Sequence, residues 1–313
     1  CIMAKFGYQI LGFGSFTPAG GPGVWSDAGD TIKGSRFTVQ ISGTGSSAII
    51  AGGYNQTADS EIWNGSSFSD AADNLSAVTH AAGGGGTSSS AIYIGGHRGS
   101  PVTTVCEKWD GSSWENADSM TTASSNLASA AEDKDNAWAC GGYNPSVSGG
   151  KVARHEMMRS GTWTTQSTDM LTPRYYLSSN SCGSSGNGAA VAGTSAGSSR
   201  ETKNEEYTFS SGSSGSWTTN TAKTTGLDEN PGCFGQTSAD DLVVFCGETA
   251  SGPNGLTEEY SAGTWTTGNT YPQPARNNFG GGPTGNGLSV GGYREDGGGY
   301  IDEAYIFTRA IST

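Results

Sequence analysis

The stretch Ala91-Ile-Tyr-Ile-Gly-Gly96, followed by Glu107-Lys-Trp109 and, across Asp110-Gly-Ser-Ser113, by Trp114, decides the fold, because the chain repeats it. The short apolar run ending in glycine returns as Ala48-Ile-Ile-Ala-Gly-Gly53, Ala137-Trp-Ala-Cys-Gly-Gly142, Ala189-Ala-Val-Ala-Gly193, Leu242-Val-Val-Phe-Cys-Gly247 and Leu288-Ser-Val-Gly-Gly292. The Glu-x-aromatic part, with Met once, returns as Glu61-Ile-Trp63, Glu156-Met-Met158, Glu205-Glu-Tyr207, Glu258-Glu-Tyr260 and Glu303-Ala-Tyr305. A glycine turn and a large aromatic follow at Phe68, Trp163, Trp217 and Trp265. The second-part residues 63, 109, 158, 207, 260 and 305 are 46, 49, 49, 53 and 45 residues apart, so six units account for nearly everything after residue 23.

Each unit has room for four short strands separated by Gly, Ser and Asp turns. In the second unit these are Thr79 to Gly84, Ala91 to Gly95, Val105 to Trp109 and Ser113 to Asn116. One such sheet cannot bury a core. Six of them packed face to face around an axis can, with aromatics between blades and small residues at the centre. The sixth unit ends at Thr313 without its last aromatic strand, whereas Gly23-Val-Trp25 carries that signature and precedes the first unit. The expectation is an all-β, six-bladed β-propeller over 24–313, closed by an N-terminal strand around Trp25, with residues 1–23 as an extension.

Composition fits only a folded reading of this kind. With 51 glycines in 313 residues, 14% charged residues and only 42 Leu, Ile, Val and Phe, the bulk values resemble a disordered chain. The 8 Trp, 12 Tyr and 10 Phe recur at fixed places, which a disordered linker does not do. No apolar run is long enough for a membrane span, and the mean hydropathy is −0.43. A net charge of −13 with scattered Lys and Arg gives no basic stripe for nucleic acid.

In order and spacing the repeat resembles the Kelch repeat of β-propellers. The resemblance implies that Arg174 in Thr-Pro-Arg and Arg276 in Pro-Ala-Arg correspond to an arginine before the first strand. The Glu-Glu-Tyr, Asp-Gly-Ser-Ser-Trp and Thr-Trp-Thr-Thr blocks in a Gly/Ser/Thr-rich background also look like Kelch-type propellers of bacteriophage virion and appendage proteins.

The chemistry-bearing residues point away from catalysis. His80 is expected in a first strand, His97 in a top loop and His155 just before a third strand, so two at most converge, too few for the copper site of a galactose-oxidase-like enzyme. The Ser-x-Asp-x-Gly-x-x-Trp boxes of a sialidase-like propeller are absent. Glutamates at 61, 107, 156, 205, 258 and 303 recur in every unit and so serve the blade, since a catalytic group is needed once. The six cysteines lack Cys-x2-Cys spacing; Cys140 and Cys246 read as buried thiols, with a Cys233–Cys246 cross-strand disulfide left open. The acids of Glu132-Asp-Lys-Asp-Asn136 and Arg294-Glu-Asp296 read as solvated loops. No catalytic residue, metal ligand or cofactor is expected.

Binding is expected where the scaffold varies. The loops between second and third strands differ in every unit, and share a face with the blade-to-blade connections. They supply Tyr54 and Asn55, His97 and Arg98, Tyr143 and Asn144, and Tyr293 and Arg294 as aromatic platforms and hydrogen-bonding groups for sugar rings. The function expected is that of a non-enzymatic virion surface or appendage protein, of phage type, binding a host surface glycan or receptor or another virion protein. The alternative is a structural subunit of an extracellular appendage or filament. It would assemble into oligomers through the apolar, glycine-spaced Phe6-Gly-Tyr-Gln-Ile-Leu-Gly-Phe-Gly-Ser-Phe16. A cysteine at position 1 also fits a lipidated mature N-terminus, with Met3 as an alternative start.

Overall fold

The computed structural model describes residues 21–54, 58–77, 79–98, 101–179, 186–195, 199–235 and 241–309. It is a six-bladed β-propeller of four-stranded antiparallel sheets. Blade one runs Gln40–Thr44, Ser47–Ala51, Ser60–Trp63 and Phe68–Asp70; blade two runs Gly83–Thr87, Ser90–Ile94, Cys106–Trp109 and Trp114–Asn116. Blades three, four and five continue in the same order. Blade six is Phe279–Gly281, Gly287–Arg294 and Gly299–Thr308, completed by Val24–Asp30, which pairs antiparallel with Gly299–Thr308. The first strand of each blade packs against the first strands of both neighbours, so the ring is closed. The assembly segment Phe6–Phe16 and Cys1 lie outside the described residues.

Crowding at the axis explains the small residues. A Cβ on Gly84 would come within 2.6 Å of Gln40 Cδ in blade one, and one on Gly83 within 2.5 Å of Leu127 Cδ1 in blade three. Away from the axis the space between blades is filled by large side chains, among them Trp63, Trp109, Trp138 and Tyr260, all almost fully buried. The repeating aromatics form direct cross-strand pairs, Trp63 with Phe68, Trp109 with Trp114 and Tyr260 with Trp265. Blade six differs. Trp25 stands opposite Phe307 rather than Tyr305, a two-residue offset. No hairpin joins those two strands, so packing rather than a turn sets their register.

The Gly-Gly signature has a specific task. The two positions take left-handed backbone in every blade, for example Gly52 at φ 64° and Gly53 at 117°. That turn aims the second N–H at the next blade. Gly53 donates to Thr79 O, Gly96 to Ser124 O, Gly142 to Arg174 O, Gly193 to Leu227 O, Gly247 to Ala275 O and Gly292 to Arg36 O, at 2.8 to 3.2 Å. Six bonds therefore tie six blades in a ring. Ala192 and Cys246 replace the first glycine in blades four and five and adopt the same turn, both at φ 59°.

The recurring glutamates hold the connections between blades. Glu156 accepts the N–H groups of Thr121 and Thr122 at 2.7 and 2.8 Å, and Glu61 those of Ile32 and Lys33 at 2.7 and 3.2 Å. Glu107, Glu205 and Glu258 do the same for Ser76, Leu171 and Thr224 at 2.8 to 3.0 Å, and Glu303 accepts from Gln273 Nε2 at 2.7 Å. Each carboxylate belongs to the blade that the bound connection is about to enter. Four are also paired with a cation: Arg36 with Glu61, Arg98 with Glu107, Arg174 with Glu205 and Lys223 with Glu258.

Three local expectations are corrected. The first strand of blade two is not continuous from Thr79 to Gly84, because Ala81 at φ 54° breaks it into Thr79–His80 and Gly83–Thr87. Arg174 is buried before its first strand, bonding the carbonyls of Ala192 and Ala190, but Arg276 is not its counterpart. The carbonyl that receives the Gly-Gly bond belongs to Arg174 in blade four and to Ala275 in blade six, so Arg276 stands one position later and faces the axis. His155 lies within a third strand, His155–Arg159, rather than before it. Cys106, Cys140, Cys233 and Cys246 are all buried; the thiols of Cys106, Cys140 and Cys246 are free, and Cys233 stands opposite Val244.

Candidate functional site

One residue beyond the carbonyl that receives the Gly-Gly bond, each blade carries two consecutive residues, the second of which lines the mouth of the central channel in all six blades. The pairs are Phe37-Thr38, His80-Ala81, Ser125-Asn126, Tyr175-Tyr176, Asp228-Glu229 and Arg276-Asn277. The second member of every pair is a non-glycine residue with left-handed backbone, at φ 55°, 54°, 51°, 58°, 57° and 55° in that order. Such a conformation costs roughly 1–3 kcal/mol at each position. Backbone bonds between blades hold it: Asn126 N–H donates to Ala81 O at 2.7 Å, Tyr176 to Asn126 O at 3.0 Å, Asn277 to Glu229 O at 2.7 Å and Thr38 to Asn277 O at 3.2 Å. Six equivalent backbone positions thus present five kinds of side chain, asparagine twice.

All of these residues but Ser125, Tyr175 and Asp228 line an axial pocket of about 400 Å³, within the size range of small-molecule sites. One wall is aromatic. Phe37 stacks on Tyr300 at 5.0 Å between ring centroids and meets Tyr54 at 4.8 Å; Tyr293 lies 5.5 Å from Tyr300. The wall continues through Tyr54 to His80 at 5.1 Å and from His80 to His97, stacked at 5.1 Å. Tyr54 and Tyr300 remain 43% and 37% exposed, so ring surface is open to a ligand.

The charged groups of the lining are Glu229 and Arg276, backed by Arg200, Asp228, Glu248 and Glu295. Arg200 bonds Asp228 at 2.9 Å and Glu248 at 2.7 Å; Arg276 pairs with Glu248, reaches Glu295 at 2.9 Å and lies 5.1 Å above the Tyr293 ring. Glu229 makes no ion pair among the described residues and accepts one hydrogen bond, from Asn277 Nδ2 at 3.1 Å. Burial raises the carboxyls of both Asp228 and Glu229 above their usual range. Burial, helped by the neighbouring His97, lowers His80 to about 4, so its imidazole is neutral at pH 7. The floor is amide: Asn230 Nδ2 donates to Asn126 Oδ1 at 2.9 Å and to Asn277 Oδ1 at 2.8 Å, closing the channel below.

Of the residues expected from sequence, Tyr54, His97 and Tyr293 line this pocket. Tyr143 is on the same face, 5.7 Å from Tyr175, outside the pocket lining. Arg98 turns away to Glu107, Asn144 Nδ2 caps Ala123 O at 2.9 Å, and Arg294 pairs with Asp296 and donates to Gln273. Asn55 lies outside the described residues. Phe37, His80, Tyr176, Glu229, Arg276, Asn277 and Tyr300 were not anticipated. All but Tyr300 come from the connections between blades, where the signal was the unlike pair following the register of the Gly-Gly bond.

Thr194 Oγ1, itself buried, donates to Asp228 Oδ2 at 3.0 Å, and His97 Nε2 meets Ser125 Oγ at 2.9 Å. Ser125 has no exposed surface, so that contact anchors the ring and offers no attacking oxygen. Among the described residues no three His, Cys, Asp or Glu groups are placed to hold a metal ion, and no helix is long and apolar enough to cross a membrane. No protein-family model matches the chain, and no curated protein matches it either.

Proposed function

Starting from a six-bladed propeller whose axial mouth joins an aromatic wall to a carboxylate and amide floor, we propose that the protein is a non-enzymatic binding module that takes a host surface glycan in that pocket. The observation that carries the reading is the open ring surface of Tyr54 and Tyr300 in one pocket of about 400 Å³ with the polar groups Glu229, Asn126 and Asn277. A sugar presents apolar faces to rings and hydroxyls to carboxylate and amide groups. The acids nearby favour binding over hydrolysis: Asp228, Glu248 and Glu295 are held by Arg200 and Arg276, leaving no paired acid and base across the pocket. The Kelch-like repeat and the Gly/Ser/Thr-rich style support placing the protein on a virion surface or extracellular appendage, of phage type, mounted on other virion proteins.

The test has two parts. On a glycan array the full chain is expected to bind a restricted set of glycans, and Tyr54→Ala and Tyr300→Ala to lose that binding while keeping the wild-type melting temperature within a few degrees. No binding to any glycan would sink the reading. Immunogold microscopy of the source material is expected to label particles at a fixed position; gold on free filaments with bare particles would replace it by an assembling appendage subunit.

A further inference from the structure

Building on that glycan reading, we infer that the group recognised in the axial pocket carries a positive charge, as a protonated or quaternary ammonium. Three features of the mouth select it. The charged groups at and behind the lining are four carboxylates, Asp228, Glu229, Glu248 and Glu295, and two guanidiniums, Arg200 and Arg276, of which Glu229 and Arg276 line the pocket itself. The guanidinium in the lining, Arg276, is paired with Glu248 and Glu295. Glu229 is the carboxylate left without an ion pair, and it lines the pocket.

The aromatic wall is built for the same charge. Ring faces attract cations through their quadrupole within about 6 Å of the centroid. The wall already does so once, since the Arg276 guanidinium lies 5.1 Å over Tyr293. Phe37, Tyr54 and Tyr300 extend the same aromatic surface, and Glu229 lines the same pocket. An ammonium seated in that pocket would meet both aromatic faces and Glu229. The neutral His80 adds no competing charge. The protein's net charge of −13 further favours the approach of a cation over that of an acid.

Isothermal titration of the full chain with choline, glucosamine, N-acetylglucosamine and galactose tests this directly. Choline or glucosamine is expected to bind at least tenfold more tightly than the two neutral sugars. Glu229→Gln, which keeps an oxygen for Asn277 Nδ2, is expected to remove that preference without changing the melting temperature. Binding of choline alone would identify a quaternary headgroup on the glycan, and binding of glucosamine as well would identify an amino sugar. Neutral sugars binding as tightly as glucosamine, with Glu229→Gln silent, would overturn the charge inference and leave the glycan reading standing. Failure of all four probes, with an empty glycan array, would overturn both.

Discussion

Asn230 and Asn126 stand 104 residues apart in the chain, in non-neighbouring blades, and meet at the mouth of the channel, where Asn230 Nδ2 donates to Asn126 Oδ1 at 2.9 Å. The same amide donates to Asn277 Oδ1 at 2.8 Å, so one buried side chain ties blade five to blades three and six. Asn277 in turn holds Glu229. The pocket floor and the carboxylate proposed to read the ligand are therefore one network.

Removing that amide should be felt in stability. Asn230 also has left-handed backbone, at φ 49°, which glycine tolerates and alanine does not. Asn230→Gly leaves two buried acceptors without their donor and should cost about 1–3 kcal/mol. Asn230→Ala adds backbone strain and should cost more. Urea unfolding of the two variants checks the order; equal and negligible losses would mean that the cross-channel bonds contribute nothing.

The glutamate latches differ in what their loss leaves behind. Glu156 accepts two backbone amides and pairs with no cation among the described residues, so Glu156→Ala should cost about 1–3 kcal/mol. Glu205 also lies 3.4 Å from the Arg174 guanidinium, which has no exposed surface. Glu205→Ala leaves that charge buried without its counterion and should cost about 3–5 kcal/mol. Denaturation midpoints that rank Glu156→Ala as the more damaging change would contradict this account of the latches.

His155 should make stability depend on pH. It is fully buried against Tyr207, Trp217 and Trp138, at 4.1, 5.3 and 6.1 Å between centroids, and neither ring nitrogen has a hydrogen-bond partner. Burial lowers it to about 3, from 6.5. Below pH 6.5 the unfolded chain takes up a proton that the folded protein refuses. Stability is thus fully present above 6.5 and falls toward pH 3, by at most about 1.4 kcal/mol per pH unit. His80 acts with the same sign down to about 4, whereas the raised carboxyls of Asp228 and Glu229 act with the opposite sign. All three cancel when wild type is compared with His155→Thr, the residue type that blade five carries at Thr257. The difference in stability between the two proteins should shrink steadily from pH 6.5 to 4; a constant difference would show that the buried imidazole does not titrate as described.

The blades were legible in the sequence because each contributes the same three markers, and the closing strand because Trp25 was an aromatic without a unit. The mouth was only half legible. Tyr54, His97 and Tyr293 follow the Gly-Gly marker and could be placed by counting from it. Their partners Phe37, His80, Tyr176 and Glu229 follow a marker that is a backbone carbonyl, which any residue supplies, and a left-handed turn made without glycine. Ala81 shows why: nothing in its side chain announces a turn, so the strand was read through it and His80 was assigned to the sheet. Arg276 was misassigned for a related reason, since an arginine one position away at Arg174 does a wholly different job.

Ring closure is the last feature with a measurable consequence. Trp25 packs against Tyr271 at 4.7 Å, Phe245 and Phe307 at 4.9 Å and Phe234 at 5.7 Å, and its Nε1 donates to Asn269 O at 3.2 Å. One ring thus seals the seam between blades five and six. Trp25→Ala should cost about 3–5 kcal/mol by the loss of that packing. Deleting residues 1–30 goes further, since it strips the outer strand from blade six and bares the edge of Gly299–Thr308. That truncation should bind a hydrophobic dye and associate, whereas deletion of residues 1–20, which spares Val24–Asp30, should keep the melting temperature of the full chain. If the longer deletion melted like the shorter one, the N-terminal strand would not be what closes the ring.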